Sequence, residues 1–205
     1  MYKGERFNSI SHLVGVVFAL IGVTILLTIS ILKGDMWRII GFGIYGAAMI
    51  TLYTVSTLYH SMKEPMKSFF QRLDHLSIYL MIAGSYTPFT LLVLQGAWRW
   101  SIFGVVWGLA ILGMAQEIMI GKKTRKLSLL IYLLMGWLIV VAMGPLIESL
   151  PRAGVVWLAT GGVLYTGGVV FYVLDDKLKH SHGIWHLFVL GGSAAQFVSL
   201  LLYVA

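Results

Sequence analysis

Apolar residues along the chain fall into seven runs of about 20 residues each, with short polar segments between them. A helix that crosses the hydrocarbon core of a bilayer needs about 20 such residues. The runs predict spans at residues 11–32, 39–60, 73–94, 98–119, 127–147, 153–174 and 184–205. Because the connections are short, we expect an all-α integral membrane protein, a seven-transmembrane helix bundle forming one domain over residues 1–205.

Small residues and prolines refine this picture of the bundle. Two groups of small residues lie within predicted spans and suit close helix packing in lipid: Gly41, Gly43, Gly46 and Ala47, and Gly161, Gly162, Gly167 and Gly168. Proline interrupts helical hydrogen bonding, so Pro88 is expected to kink the third span. Pro145 falls near the end of the fifth.

Composition supports a membrane protein and narrows the possible chemistry. Hydrophobic residues make up 59% of the chain and charged residues 11%, which is outside the range of soluble domains. There is no cysteine, so any metal site must use histidine or carboxylate ligands. The net charge of +7 comes from short basic clusters between apolar runs, which does not indicate nucleic acid. Membrane lipids are the expected partners, and the oligomeric state stays open.

The distribution of lysine and arginine predicts the orientation. Eleven of the 15 basic residues fall on the same side of the membrane as the N-terminus in the predicted topology, and four fall on the opposite side. By the positive-inside rule, the N-terminus and the loop at residues 120–126 are cytoplasmic, and Ala205 is outside. Glu5, Asn8 and His12 interrupt the first segment, so we expect a retained first helix and no signal peptide. The expected location is the cell (plasma) membrane, with multiple passes.

Histidines form the main candidate constellation. The chain has six, all near the predicted cytoplasmic ends of spans: His12, His60, His75, His180, His182 and His186. His182 and His186 are four residues apart and therefore share one helical face. The same separation places Ser56 and His60 together on the second span.

This spacing predicts a zinc site. Three neutral imidazoles and one water form the usual open tetrahedral site, with a carboxylate available to hold or deprotonate the water. His60, His182 and His186 would be the metal ligands, and Asp74 the carboxylate. Histidines at a membrane interface also occur as solvated polar groups, and one such pair can arise by chance, so both interpretations stay open.

The other polar residues near the predicted cytoplasmic ends of the spans are interpreted as structural or interfacial groups and not as metal ligands. We assign His12, His75 and His180 to hydrogen bonding around the site or to the membrane interface. Asn8 or Ser9 is expected to cap the first helix, with Glu5 as a favourable charge at its start. The sequence alone does not determine the individual roles of five residues: Glu5, Asn8, His12, His75 and His180.

Four motifs occur in a characteristic order along the chain. They are Glu5-x-x-Asn8-x-x-x-His12, Ser56-x-x-x-His60, Leu73-Asp74-His75 and His182-x-x-x-His186. In this combination the chain resembles the progestin and adipoQ receptor family, specifically its bacterial hemolysin III branch, over essentially its whole length.

The resemblance implies a seven-helix protein with zinc near the cytoplasmic face. The ligands would be His60, His182 and His186, with Asp74 close to the water on the metal. The wider group looks like metal-dependent membrane hydrolases, which implies hydrolysis of a lipid amide such as a ceramide. The bacterial branch takes its name from hemolytic, pore-forming activity and is also linked to membrane-lipid homeostasis. The long N-terminal region of the animal receptors is missing, so hormone reception is not implied.

Three functions compete. In the first, zinc activates water, Asp74 acts as the base, and Ser56 steadies an oxyanion or a ligand. In the second, the protein is a pore, or a receptor without turnover, and zinc is structural. A cation pore usually has rings of acidic residues, but the spans have mainly Asp74 and Glu117. The third, a retinal protein, is excluded because all nine lysines lie outside the central spans. Substrate and turnover cannot be deduced from the sequence.

Overall fold

Seven helical segments are long and apolar enough to cross a membrane, as predicted. The computed structural model describes residues 3–120 and 125–205, and these residues form helices and short connections without a strand. The protein is therefore an all-α seven-helix membrane protein. The loop predicted at residues 120–126 lies largely outside the described residues.

Each of the seven helical segments begins before the apolar run that predicted it. In chain order the helices are α1 (Arg6–Leu32), α2 (Met36–Ser61), α3 (Met66–Pro88), α4 (Gly96–Ile120), α5 (Arg125–Gly136), α6 (Met143–Ser149), α7 (Arg152–Val173) and α8 (Ser181–Tyr203). A 3₁₀ turn at Lys3–Glu5 precedes α1. Hydropathy detects only apolar stretches, so the polar first turns of α1 and α3 lie outside the predicted spans.

Two spans depart from a regular α-helix. After Pro88 the third span continues as a π-helix at Phe89–Val93, at the position where a proline kink was predicted. The fifth span consists of α5, a 3₁₀ segment at Leu138–Ala142, and α6, which contains Pro145. Proline explains the first departure, because it lacks the N–H that an α-helix needs.

A tyrosine from α3 supports the break in the fifth span. The Tyr86 hydroxyl donates a hydrogen bond to the carbonyl oxygen of Gly136 at 2.8 Å and accepts one from the N–H of Ile139 at 2.9 Å. In lipid, backbone groups that leave the helical pattern must find partners within the protein. Tyr86 therefore supplies both the donor and the acceptor that this break requires.

The third span lies at the centre of the bundle. It is the most buried of the seven, and α3 packs against α2, α4 and α5. Further pairs form between α1 and α2, between α1 and α8, and between α7 and α8. Large apolar side chains such as Phe18 and Leu112, both 67% exposed, cover the outside, as expected for a surface in contact with lipid.

Glycines permit the closest helix contacts, although not all of the predicted ones do so. A Cβ at Gly46 would lie 2.5 Å from Val23, and one at Gly168 would lie 2.7 Å from Phe188. By contrast, a Cβ at Gly43 or Gly162 would meet open space. The small residues therefore serve packing at some positions of each group only.

Candidate metal centre at one end of the bundle

The candidate site lies at the end of the bundle where α1, α3 and α8 begin and α2 ends. We call this end of the bundle the histidine end. His60 comes from the last turn of α2, and His182 and His186 come from the first turns of α8. Each offers a ring nitrogen, and these three atoms lie within 4.8 Å of one another. The ring centroids are 4.8 to 5.0 Å apart. His60 and His186 are fully buried.

Glu5 fixes the orientation of His60. Nδ1 of His60 lies 2.7 Å from Oε2 of Glu5, and a carboxylate can only accept, so Nδ1 carries the hydrogen. Lys67 donates to the other carboxylate oxygen at 2.7 Å, and Asn8 donates to Oε2 at 2.9 Å. The hydrogen bonds from His60 and Lys67 hold the pKa of the Glu5 carboxyl well below its ordinary value. Glu5 therefore stays ionised and keeps its acceptor role.

The two histidines of α8 are held in the same way. Nδ1 of His182 donates to Oδ2 of Asp175 at 3.0 Å, and this bond lowers the pKa of the Asp175 carboxyl. Nδ1 of His186 donates to the backbone carbonyl oxygen of Asn8 at 3.0 Å. Carboxylate and carbonyl oxygens both lack hydrogens, so each ring must have its hydrogen on Nδ1.

The consequence is a cage of three unpaired nitrogens. In a neutral ring with the hydrogen on Nδ1, Nε2 carries a lone pair. Nε2 of His60, His182 and His186 is buried in each case and has no hydrogen-bond partner among the described residues. Buried polar atoms without a partner are costly, and metal-ligating histidines characteristically donate their other N–H to an oxygen. These three residues could hold a metal ion.

Asp74 and Ser56 lie beside the cage. Asp74 is 5% exposed, and its carboxyl group interacts electrostatically with His60 and His182. Ser56 is 1% exposed, and its side chain lies close enough to the Asp74 carboxyl to interact with it, although Oγ makes no hydrogen bond of normal geometry among the described residues. Both candidates are thus buried at the histidine end, with the serine hydroxyl close to the carboxyl of Asp74.

Two cavities meet at Asp74. One, of about 140 Å³, extends into the bundle and is lined mostly by apolar side chains, together with His12. The other, of about 250 Å³, is more polar and is lined by residues that include His75, Glu117 and His182. Asp74 lines both, so its carboxylate lies between an apolar interior and a polar chamber at the histidine end.

The remaining histidines have distinct surroundings. His12 is buried and stacks on His186, with ring centroids 3.6 Å apart and planes at 10°. Nδ1 of His75 donates to Oε1 of Glu117 at 3.0 Å, and neither residue belongs to the cage. His180 is exposed, with φ of 64° just before α8, and contacts Phe7 edge-on. All six histidines therefore collect at one end, as predicted.

One prediction about this end was wrong, and one residue was missed. Asn8 and Ser9 lie inside α1, which begins at Arg6, and neither caps it. Glu5 orients His60 instead of merely favouring the helix start. Asp175, which orients His182, was not recognised from the sequence; its signal is a carboxylate seven residues before the His-x-x-x-His pair.

Comparisons with known proteins agree with this architecture. The model of the family described as haemolysin-III related matches residues 1–197. The chain belongs to the haemolysin III family. It is 43% identical over 203 residues to hemolysin-3 of Bacillus cereus, covering 98% of this chain and 92% of the relative. It is 41% identical over 202 residues to the hemolysin-3 homolog of Bacillus subtilis strain 168, covering 98% and 94%.

The chain is also similar to an animal protein. The monocyte to macrophage differentiation factor of Homo sapiens is 30% identical over 205 residues, covering 96% of this chain and 82% of that protein. The similarity spans all seven helical segments of this haemolysin III family member. It therefore includes the helices that carry the histidine cage.

Proposed function

We propose that the protein is a zinc-dependent hydrolase of a membrane-lipid amide resembling a ceramide, acting in membrane-lipid homeostasis. The observation that carries the proposal is the cage of three buried, unpaired Nε2 atoms beside Asp74. The multi-pass architecture and the positive-inside rule support a location in the plasma membrane, with the histidine end towards the cytoplasm.

The donor set fits zinc better than it fits magnesium or calcium. Magnesium and calcium prefer oxygen ligands, whereas neutral imidazole suits zinc and other transition metals. Three protein ligands leave one tetrahedral position open, as in catalytic zinc sites. The chain would bind zinc through His60, His182 and His186, with their rings oriented by Glu5, Asp175 and the Asn8 carbonyl.

The residues around the cage suffice for amide hydrolysis. When bound, zinc activates a water near neutral pH and polarises the substrate carbonyl. Asp74 takes a proton from the attacking water as the C–O bond forms, and delivers it to the leaving nitrogen as the C–N bond breaks. The Ser56 hydroxyl, which lies close to Asp74, would donate to the carbonyl oxygen as charge develops there. The products are a carboxylic acid and an amine.

The position of the cavities supports a lipid as the substrate. The apolar cavity reaches Asp74 from inside the bundle and suits a hydrocarbon chain, whereas the polar chamber suits a headgroup. The scissile amide of such a lipid would lie at their junction. Ligand cavities are commonly apolar with a few polar groups at the reacting end.

A second candidate is a pore-forming or receptor-like protein with structural zinc. The names of the two bacterial relatives are consistent with hemolytic activity. In this case the observation in favour is that the cage joins the end of α2 to the start of α8, while Glu5 and Asn8 tie it to α1. A metal there would hold three helices together without turnover.

The deciding experiment combines metal analysis with a lipid panel. Purified protein is analysed for zinc and then incubated with ceramides and phospholipids, with ion flux measured in liposomes of the same preparation. Bound zinc, release of fatty acid and no ion conductance support the hydrolase. Bound zinc with conductance and no release on a broad panel supports the second candidate.

A further inference from the structure

A second polar group lies deeper in the bundle, in the apolar cavity. Tyr165 on α7 and Gln196 on α8 line this cavity, and Ser193 lies three residues before Gln196. Gln196 is ten residues after His186, which at 1.5 Å per residue places it about 15 Å along α8 from the cage. The cage does not involve any of these residues.

The hydroxyl groups of Tyr53, Tyr165 and Ser193 carry one more hydrogen than their mutual hydrogen bonds require. Tyr53 donates to Oγ of Ser193 at 2.7 Å, and Ser193 shares a hydrogen bond with the hydroxyl of Tyr165 at 2.8 Å. Three hydroxyl groups carry three hydrogens, and these two bonds consume two. Among the described residues no acceptor receives the third. A donor is therefore left over beside the cavity.

Gln196 supplies the complementary acceptor. Its side chain is 9% exposed, and Oε1 is buried without a hydrogen-bond partner in the described parts of the chain. An unpaired buried carbonyl costs free energy. When Ser193 donates to Tyr165, the spare hydrogen is that of the Tyr165 hydroxyl, and a spare donor and a spare acceptor then line the same cavity on two helices that pack against each other.

Two glycines make room for these side chains. A Cβ at Gly161 would lie 3.0 Å from Cγ of Gln196, and a Cβ at Gly192 would lie 2.9 Å from the ring of Tyr165. Gly161 is one helical turn from Tyr165, and Gly192 is one turn from Gln196. Gly161 of α7 therefore packs against Gln196 of α8, and Gly192 of α8 packs against Tyr165 of α7. The interface of α7 and α8 is therefore shaped around Tyr165 and Gln196.

We infer that this pair is a subsite for one hydroxyl group on a lipid chain, about 15 Å from the group held at the histidine cage. A hydroxyl both donates and accepts, so it satisfies Gln196 and the spare hydroxyl hydrogen at once. The rest of the ligand is hydrocarbon, because residues such as Ile78, Met81 and Val189 line the same cavity. The inference rests on the proposal that this cavity takes a lipid chain, but it does not require turnover.

Direct binding tests the subsite. Purified protein is titrated with 12-hydroxyoctadecanoate, octadecanoate and 2-hydroxyoctadecanoate in one detergent, with zinc content held equal. The 12-hydroxyl lies at the distance of the subsite from the carboxylate, and the 2-hydroxyl does not. We expect the 12-hydroxy acid to bind at least fivefold more tightly than octadecanoate, as one buried hydrogen-bonded group implies, and the 2-hydroxy acid to show no such gain.

Variants assign the preference to the named residues. Gln196→Met keeps the volume and removes the acceptor, so the preference for the 12-hydroxy acid should disappear while octadecanoate binds as before. Tyr165→Phe should also reduce the preference for the 12-hydroxy acid. Ser199→Ala is the matched control, since its hydroxyl bonds to the Gly154 carbonyl and lies outside the cavity lining; the preference should persist.

The outcomes separate this inference from the proposed function. Equal affinity for the three acids in wild type, as a bound water alone would give, overturns the subsite, as does a preference that survives in Gln196→Met. Absence of lipid turnover with the preference intact contradicts the hydrolase only. Turnover without any preference contradicts the subsite only.

Discussion

Nδ1 of His60 and Oε2 of Glu5 lie 2.7 Å apart, although 55 residues separate them in the chain. The carboxylate sits in the turn before α1, and the imidazole sits in the last turn of α2. This contact fixes which ring nitrogen of His60 faces the cage, and it couples the turn before α1 to the candidate metal centre.

The first prediction tests this coupling. Glu5→Gln should weaken zinc affinity by about 10- to 100-fold, the usual cost of removing a residue that orients a metal-ligating histidine. Competition with a chelator of known zinc affinity measures the zinc affinity of each variant. Glu148→Gln is the control, because Glu148 is exposed and no described residue bonds to it. Equal zinc affinity in both variants would mean that Glu5 does not orient the ligand.

The helices and the candidate ligands could be predicted from the sequence because both depend on local spacing. Apolar runs of about 20 residues give the seven spans, and a separation of four places His182 and His186 on one face. The bond between Glu5 and His60, and the stacking of His12 on His186, depend on how α1, α2 and α8 pack. No local pattern encodes such contacts.

The break in the fifth span illustrates the same limit. Residues 127–147 form a continuous apolar run, so hydropathy predicts one helix. The run is divided after Gly136, where Tyr86, 50 residues earlier, supplies hydrogen bonds to the freed backbone groups. A helix interruption stabilised by a distant side chain leaves no signature in its own segment.

The second prediction concerns this support. Tyr86→Phe removes one hydroxyl that both donates and accepts, leaving the Gly136 carbonyl and the Ile139 N–H unpaired. The expected cost is about 1–3 kcal/mol of stability, seen as a lower melting temperature in detergent. Tyr203→Phe is the control, since no described residue bonds to the Tyr203 hydroxyl. A melting temperature equal to that of the control would contradict the role of Tyr86.

The third prediction concerns topology. Because 11 of the 15 basic residues lie on one side, the N-terminus and residues 120–126 should face the cytoplasm, and Ala205 should be outside. Reporters active on only one side of the membrane, fused at Ala205 and inserted at 120–126 and at Gly34, measure this. Ala205 and Gly34 should report outside, and 120–126 inside. A reporter at Ala205 that reads as cytoplasmic would refute the orientation.

The fourth prediction tests the cage. His182→Ala and His186→Ala should each remove bound zinc and lower the melting temperature by about 5 °C or more, because a bound metal stabilises only the folded state. His180→Ala is the matched control for metal binding, being a neighbouring exposed histidine, and it should keep its zinc. Unchanged zinc content in the two cage variants would rule out the site.

The fifth prediction separates chemistry from scaffolding. Asp74→Asn leaves three imidazoles in place, so zinc should stay largely bound. The neutral amide cannot accept a proton from the attacking water, so lipid turnover should fall by roughly 10²-fold or more, a typical contribution of a general base. Zinc content and fatty-acid release are compared in wild type and variant at the same pH and in the same detergent.

Each outcome for Asp74→Asn has a distinct meaning. Zinc retained with turnover lost supports Asp74 as the base of a hydrolase. Zinc and turnover both retained would remove Asp74 from the chemistry, and the proton would have to be taken by another group. Loss of zinc would show that the carboxylate helps to hold the metal. The position of Asp74 between the two cavities favours the first outcome, because a substrate chain in the apolar cavity brings its polar end to this carboxylate.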